Sequence, residues 1–365
     1  MFKRSAIAAA VAAALAVSAI APPASAAGAN PVKQELSQLV SEHGFPGALA
    51  TVTGRDGRVR KLTAGVGELG TAKPVPADGQ VRIGSNTKTF VAVVVLQLVG
   101  ERRVRLDAPV ERYLPGLLPD KTITVRQLLQ HTSGLPNYTE YLNIDDLSLR
   151  YKHFEARELV DIALAHPATF PPGTGWAYSN TNYTVAGLLI EKVTGRSVAS
   201  EIDKRVLRRI GLRHTYFPAP YETGIRERHP HGYLFDAEGK PLDITDLDPS
   251  WGGAAGQMIG TPSDLNRLFT ALLDGKLLRP AELAEMQRTV PADLWPGVRY
   301  GLGIISIPLS CGGLAWGHGG DIPGYETRGG ATTDGRAATV AVTTLPTDEE
   351  KAMAVIDTVD TALCS

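Results

Sequence analysis

"VRIGSNTKTFVAVVVLQLVGE", residues 81–101, decides how the rest of the chain is read. A short apolar run ends at Gly84-Ser85, Lys88 follows three residues later, and almost unbroken aliphatics come after it. A helix that is apolar all round is a buried helix, so the pattern places a lysine one turn into a core element. Positions i and i+3 share a helix face, which lets the Ser85 hydroxyl meet the Lys88 amine. Gly84 permits a sharp turn from strand to helix. Free N–H groups and the positive dipole end at the helix start favour an oxyanion nearby. The same dipole and the apolar surroundings lower the affinity of Lys88 for a proton. A dry, neutral lysine can take the serine proton and so activate a nucleophile. The plain alternative is a serine N-cap followed by a surface lysine, and Ser-x-x-Lys alone is too short to decide between them.

Upstream, "MFKRSAIAAAVAAALAVSAIAPPASAAGAN" has a basic start (Lys3, Arg4), an apolar run from Ala6 to Ile20 and the small triplet Ala24-Ser25-Ala26. That is the layout of a secretory signal over residues 1–26, with an apolar run too short to span a bilayer. Cleavage is expected after Ala26, with Ala27 as the alternative, and no later segment has enough apolar residues to anchor the chain in a membrane. Of 365 residues, 339 then remain, and the formal charge moves from −1 to −3 because Lys3 and Arg4 leave with the signal. A near-neutral surface argues against nucleic acid as a partner. Cys311 and Cys364 are the two cysteines. In an oxidising exterior they are expected to pair.

Between 31 and 44, "PVKQELSQLVSEHG" has helical spacing and stops on a glycine. "GALATVTG" and "GRVRKLTAGVG", joined by "RDG", read as a β-hairpin. The middle is helical, with patterns over 86–100, 124–132, 155–166, 180–195 and 197–211 separated by Pro/Gly loops, and another over 261–275 that Thr261 or Ser263 can cap. The last third turns to strands in "RYGLGIISI", "GLAWGHGG", "GYETRGGATT" and "RAATVAVTTLP", then closes on a helical "DEEKAMAVIDTVDTAL". The expected fold is α/β (α+β): an antiparallel sheet from both chain ends, flanked by the N- and C-terminal helices, with an all-α insertion. The expected division is a discontinuous α/β domain over 27–90 and 245–365 and a mainly helical domain over 91–244. The cleft belongs between the two parts.

Two further segments accompany Ser85 and Lys88. "PPGTGWAYSNTNYTVAG" carries Tyr178-Ser179-Asn180 at a loop–helix junction, where a hydroxyl and an amide two residues apart can enter a cleft. "GLAWGHGGDIPGY" carries His318-Gly319-Gly320 on a strand, and successive glycines there mark close approach of a ligand or another backbone. His229 and His231 in "HPHG" suggest a ligand pair, but no third residue is placed to complete a metal site.

Taken in order, Ser-x-x-Lys, Tyr-x-Asn and His-x-Gly resemble the serine β-lactamase and penicillin-binding protein superfamily. The resemblance is closest to its class C β-lactamase and soluble D-alanyl-D-alanine carboxypeptidase branch. It extends to "ITVRQLLQHTSGLPNY" (123–138) and "SWGGAAGQMIGTPSDLNRLF" (250–269), and so to nearly all of the mature chain. What it implies is a secreted serine hydrolase, most like a D-alanyl-D-alanine carboxypeptidase acting on cell-wall peptides or related D-amino-acid amides and esters, with an acyl-enzyme on Ser85, Lys88 as base and Tyr178 as proton donor to the leaving group. Asn180 would position substrate, His318 stands where many relatives carry lysine, and the backbone N–H groups of Ser85 and Asp321, with Gly320 beside them, would bind the oxyanion. Trp251 would line the pocket. The implied partner is a peptidoglycan stem peptide, a β-lactam or an ester, met by a monomer without cofactor or metal. An esterase or β-lactamase, or a slowly deacylating sensor, are the alternatives. One departure stands out. Carboxypeptidases of this branch carry an arginine for the substrate's free carboxylate on the preceding strand, and "YGLGIISIPLSCGG" has no basic residue. Arg328 is the nearby cation that can replace it, if the strand turns it inward.

Overall fold

Alternation and apolar runs from both chain ends meet in one sheet. The computed structural model describes residues 30–365 other than 143 and 145, so the signal segment lies outside the described residues. Its sheet strands are β1 (Gly47–Thr53), β2 (Val59–Gly65), β3 (Val290–Pro291), β4 (Arg299–Tyr300), β5 (Ile305–Pro308), β6 (Leu314–Ile322), β7 (Tyr325–Ala331) and β8 (Ala337–Val342). They run in the order β2-β1-β8-β7-β6-β5-β4-β3, antiparallel throughout. The hairpin at 47–65 pairs Thr53 with Val59 and Gly47 with Gly65. The principal helices are α1 (Pro31–Ser41), α2 (Thr87–Gly100), α3 (Asn180–Thr194), α4 (Pro262–Leu273) and α5 (Glu349–Cys364).

The central strands are buried on both faces, and alternate side chains enter different cores. Ala48, Ala50 and Val52 of β1 and Ala338, Val340 and Val342 of β8 meet Val32, Leu36 and Leu39 of α1 and Val355, Val359 and Leu363 of α5. The expected cover of the sheet by both terminal helices is present. Cys311, in the turn between β5 and β6, is bonded to Cys364 at the end of α5. The other face carries the larger core, in which α2 is buried from Thr87 to Leu96 and packs against α3 and the short helices Gly253–Gly256, Pro280–Met286 and Val198–Ile202. Each fully buried Val, Leu or Phe there contributes roughly 1.5–3 kcal/mol, so the sequence of α2 is explained by its position at the centre.

The pattern over 197–211 is less regular than its spacing suggests. It forms Val198–Ile202, a π-helical turn over Asp203–Leu207 and a last turn ending at Gly211. Among the described residues no helix is long and apolar enough to cross a membrane.

Candidate active site

The serine turn is pressed directly onto β6, and two glycines make that possible. Val81–Arg82 pairs with Ile259–Gly260 and leads into Gly84, whose φ of +49° lies in the region glycine adopts at least cost. A Cβ on Gly84 would stand 2.8 Å from the Asp321 nitrogen, and one on Gly320 would stand 2.0 Å from the Ile83 oxygen. Asn86 locks the turn by donating from Nδ2 to Ile83 O at 3.0 Å and to Thr327 Oγ1 on β7 at 2.8 Å. Arg82 is buried behind it, donating to the carbonyls of Thr245 and Thr223 at 2.8 and 2.5 Å. A guanidinium held by backbone oxygens fastens the strand that carries the serine to two loops.

One helical turn on, Lys88 is wholly buried. Its Nζ donates to Asn180 Oδ1 at 2.7 Å and to Ala255 O at 2.8 Å, which uses both N–H bonds of a neutral amine, and stands 2.9 Å from Ser85 Oγ. Burial holds the amine well below the usual lysine range, with the Asp321 carboxylate opposing that shift. The neutral amine keeps a lone pair that the Ser85 proton can reach.

Tyr178 and Asn180 come in from the start of α3. The Tyr178 ring is 4.7 Å from Lys88 Nζ, measured to its centroid. Burial pushes the Tyr178 hydroxyl above its ordinary value, with the Ser85 hydroxyl opposing, so it is a phenol at neutral pH. Asn180 donates from Nδ2 to Asn137 Oδ1 and Thr139 Oγ1, both at 3.2 Å, and its backbone N–H donates to Asn137 Oδ1 at 3.0 Å. Those acceptors fix which way the amide faces and leave Oδ1 for Lys88. Asn137 and Thr139 lie in or just after the segment 123–138, whose placement beside the cleft was legible, but nothing in its spacing singled them out.

β5 pairs with β6 only as far as Gly317, and the following His318–Ile322 runs past the serine turn. His318 is 3 % exposed, and both ring nitrogens are taken: Nε2 by the Tyr300 hydroxyl at 2.9 Å and Nδ1 by Gly319 O at 2.6 Å. Both ring nitrogens of His318 are thus engaged inside the protein. Asp321 keeps its backbone nitrogen beside Gly84, while its side chain accepts from Arg328 Nη1 at 2.7 Å. Strand alternation puts Arg328 opposite Gly319 and on the same face as Glu326, away from His318, Gly320 and Thr327. There it pairs with Asp321 and, at 2.6 Å, with the buried Glu326. Arg328 is thus engaged by the Asp321 carboxylate and the Glu326 carboxyl group. Trp251 is partly buried and borders a small apolar pocket with Leu149, Phe154, Leu247 and Pro323. His229 Nδ1 meets Glu227 O and His231 Nδ1 meets Asp243 Oδ2, each at 2.6 Å, on the protein surface.

A family model described as Beta-lactamase matches residues 32–360. Esterase EstB of Burkholderia gladioli is 28% identical over 77% of this chain and 82% of its own length. Penicillin-binding protein 4* of Bacillus subtilis is 26% identical over 87% of this chain and 72% of its own. A crystal structure of a D-stereospecific amidohydrolase from Streptomyces sp. superposes with a TM-score of 0.83 at 36% identity, covering 91% of this chain and 98% of that one. That of D-amino acid amidase from Ochrobactrum anthropi SV3, complexed with L-phenylalanine amide, gives 0.80 at 27% over 91% and 97%. With the model match running over nearly the whole described chain, the protein belongs to the Beta-lactamase family.

Proposed function

We propose that this protein is a secreted serine hydrolase that cleaves amides or esters of D-amino acids through an acyl-enzyme on Ser85. The observation that carries the reading is the wholly buried Lys88 amine, 2.9 Å from Ser85 Oγ and oriented by Asn180 and Ala255. Ser85 Oγ attacks the acyl carbonyl as its proton passes to neutral Lys88. The oxyanion forms against the Ser85 and Asp321 N–H groups, each worth roughly 3–4 kcal/mol in comparable sites. Tyr178, a phenol, gives a proton to the departing amine or alkoxide. Water then attacks the ester, and the same groups return the protons. Asn180 orients Lys88, Trp251 lines the acyl side, and the site lies where the lobe of residues 27–90 and 245–365 meets that of 91–244.

The leaving group is read from Arg328. With that cation paired to Asp321 and Glu326, and with no basic residue in 300–313, neither β7 nor that stretch offers a free cation to clamp a terminal carboxylate. The likeness to a D-stereospecific amidohydrolase and a D-amino acid amidase supports a neutral leaving side and a D-configured acyl group. The test compares an acyl-D-Ala-D-Ala peptide with its C-terminal amide and methyl ester. Hydrolysis of the amide and ester at least as fast as the acid is expected. A strong preference for the free acid, lost in Arg328→Ala, would instead make this a carboxypeptidase with Arg328 as its clamp. The similarity to penicillin-binding protein 4* supports the second reading, acylation by β-lactams with slow release.

A further inference from the structure

A chain of hydrogen bonds runs from the loop before α3 to the catalytic strand, and its direction is forced at both ends. The Ser179 backbone N–H, which can only donate, points at His131 Nδ1 at 3.2 Å. Asn182 Nδ2 meets the same nitrogen at 3.1 Å, and the Ser133 hydroxyl, donating to Asn182 Oδ1 at 2.5 Å, fixes that amide the same way round. His131 Nδ1 is therefore an acceptor, and the neutral ring carries its proton on Nε2. That N–H faces the Tyr300 hydroxyl at 3.2 Å. Having accepted there, Tyr300 has one proton to give, and His318 Nε2 lies 2.9 Å away. The far end closes independently: Gly319 O can only accept, and it sits 2.6 Å from His318 Nδ1. The two fixed ends agree, and no contact along the chain is left frustrated. His131, Tyr300 and His318 are all buried.

We propose that His131 and Tyr300 are positioning residues that hold His318 as the neutral Nδ1–H form, so that its ring braces the Gly319 carbonyl and sets the peptide edge presenting the Asp321 N–H beside Ser85. The brace supplies what the sequence of the strand lacks. Gly319 and Gly320 have no side chains to steady their peptides, and the glycine at 320 is required by the 2.0 Å approach of Ile83 O. It also makes the position electrically neutral, in contrast to a lysine. The inference rests on the proposed role of Ser85, but the chain itself is read without reference to activity.

The experiment uses the mature protein labelled with 15N-histidine and long-range 1H–15N spectra, which read histidine tautomers directly. The His318 and His131 signals are assigned by their loss in His318→Asn and His131→Asn. Wild type is expected to show His318 protonated on Nδ1 and His131 on Nε2, with neither titrating between about pH 6 and 8. In Tyr300→Phe, His318 Nε2 loses its donor and only the Gly319 carbonyl still favours Nδ1–H, so the excess of that form over Nε2–H is expected to fall below that of wild type. On the proposed substrates kcat falls about tenfold to a hundredfold, as for a small misplacement of a reacting edge, while KM stays within about threefold. A protonated Nε2 on His318 in wild type overturns the proposal even if Tyr300→Phe does not fold. So does a Tyr300→Phe enzyme with unchanged kcat. If Ser85 proves not to be acylated, the spectra still decide the chain, whereas normal acylation in Tyr300→Phe removes the positioning role alone.

Discussion

Replacing Lys88 by methionine separates its chemistry from its place in the core. Methionine has similar length and no amine, so the buried volume stays filled. Two acceptors, Asn180 Oδ1 and Ala255 O, lose their donor, at about 1–3 kcal/mol each. Against this, the variant no longer holds an amine out of water, a burden of several kcal/mol. The two effects oppose, and melting is expected to move by only a few degrees. Catalysis has no such compensation: loss of a positioned base lowers acylation about 10²- to 10⁴-fold, or roughly 3–5 kcal/mol of barrier. In wild type the acid limb of the rate profile follows the Lys88 amine, because the ammonium cannot accept the serine proton. Burial depresses that amine, so the limb lies well below the ordinary lysine value, and His318, lowered to about 3, does not obscure it near neutrality. Between the depressed value and the ordinary one the unfolded chain binds the extra proton, so wild-type stability rises with pH relative to the variant. The assay is pre-steady-state hydrolysis of a D-aminoacyl p-nitrophenyl ester from about pH 5 to 10, beside thermal unfolding. A methionine variant within about threefold of wild type, or one that keeps the same acid limb, refutes the base assignment.

Tyr178→Phe is expected to lower kcat by about 10²-fold or more with KM nearly constant, as a proton donor requires; a change confined to KM rejects that role. Asn137→Ala frees the Asn180 amide and is expected to cut kcat about tenfold without unfolding, read by the same ester assay. Removing the Cys311–Cys364 bridge opens a 53-residue link and is expected to cost about 4 kcal/mol in denaturant unfolding; a loss under about 1 kcal/mol contradicts the loop-entropy account. Glu326 is raised to about 7 by burial, against the pull of Arg328. The native state therefore holds more protons than the unfolded chain between the ordinary glutamate value and about 7, and stability falls as pH rises through that window. Melting of Glu326→Gln is expected to lose that slope between pH 5 and 8, and an unchanged slope would place the proton elsewhere.

What was legible in the sequence is what local pattern controls. Alternation in "GALATVTG" and "RAATVAVTTLP" marks strands buried on the sheet, the spacing of Val32, Leu36 and Leu39 marks a one-sided helix, and the unbroken run after Lys88 marks a central one. Ser85, Lys88, Tyr178 and Asn180 are close in sequence to glycines and caps that announce turns. Long-range partners leave no such trace. His131, the left-handed cap of its short helix, and Tyr300, on a two-residue strand, are 169 positions apart, and only the fold shows that they share a hydrogen bond. Arg328 illustrates the same limit: alternation allows either face, and the choice is settled by Glu326 and Asp321 beside it. The π-helical turn at 203–207 is likewise invisible to a 3.6-residue period, which counts it as regular helix.

The central claim is that Ser85 carries the acyl group, and time-resolved intact mass spectrometry followed by peptide mapping tests it most directly. The protein is mixed with a D-aminoacyl ester and, separately, with a labelled penicillin, then quenched in acid over milliseconds to minutes. One acyl group on the peptide containing Ser85 is expected, appearing before product and absent from a folded Ser85→Ala variant. Turnover without that adduct in wild type, an adduct on another residue, or Ser85→Ala hydrolysing near the wild-type rate would contradict the account.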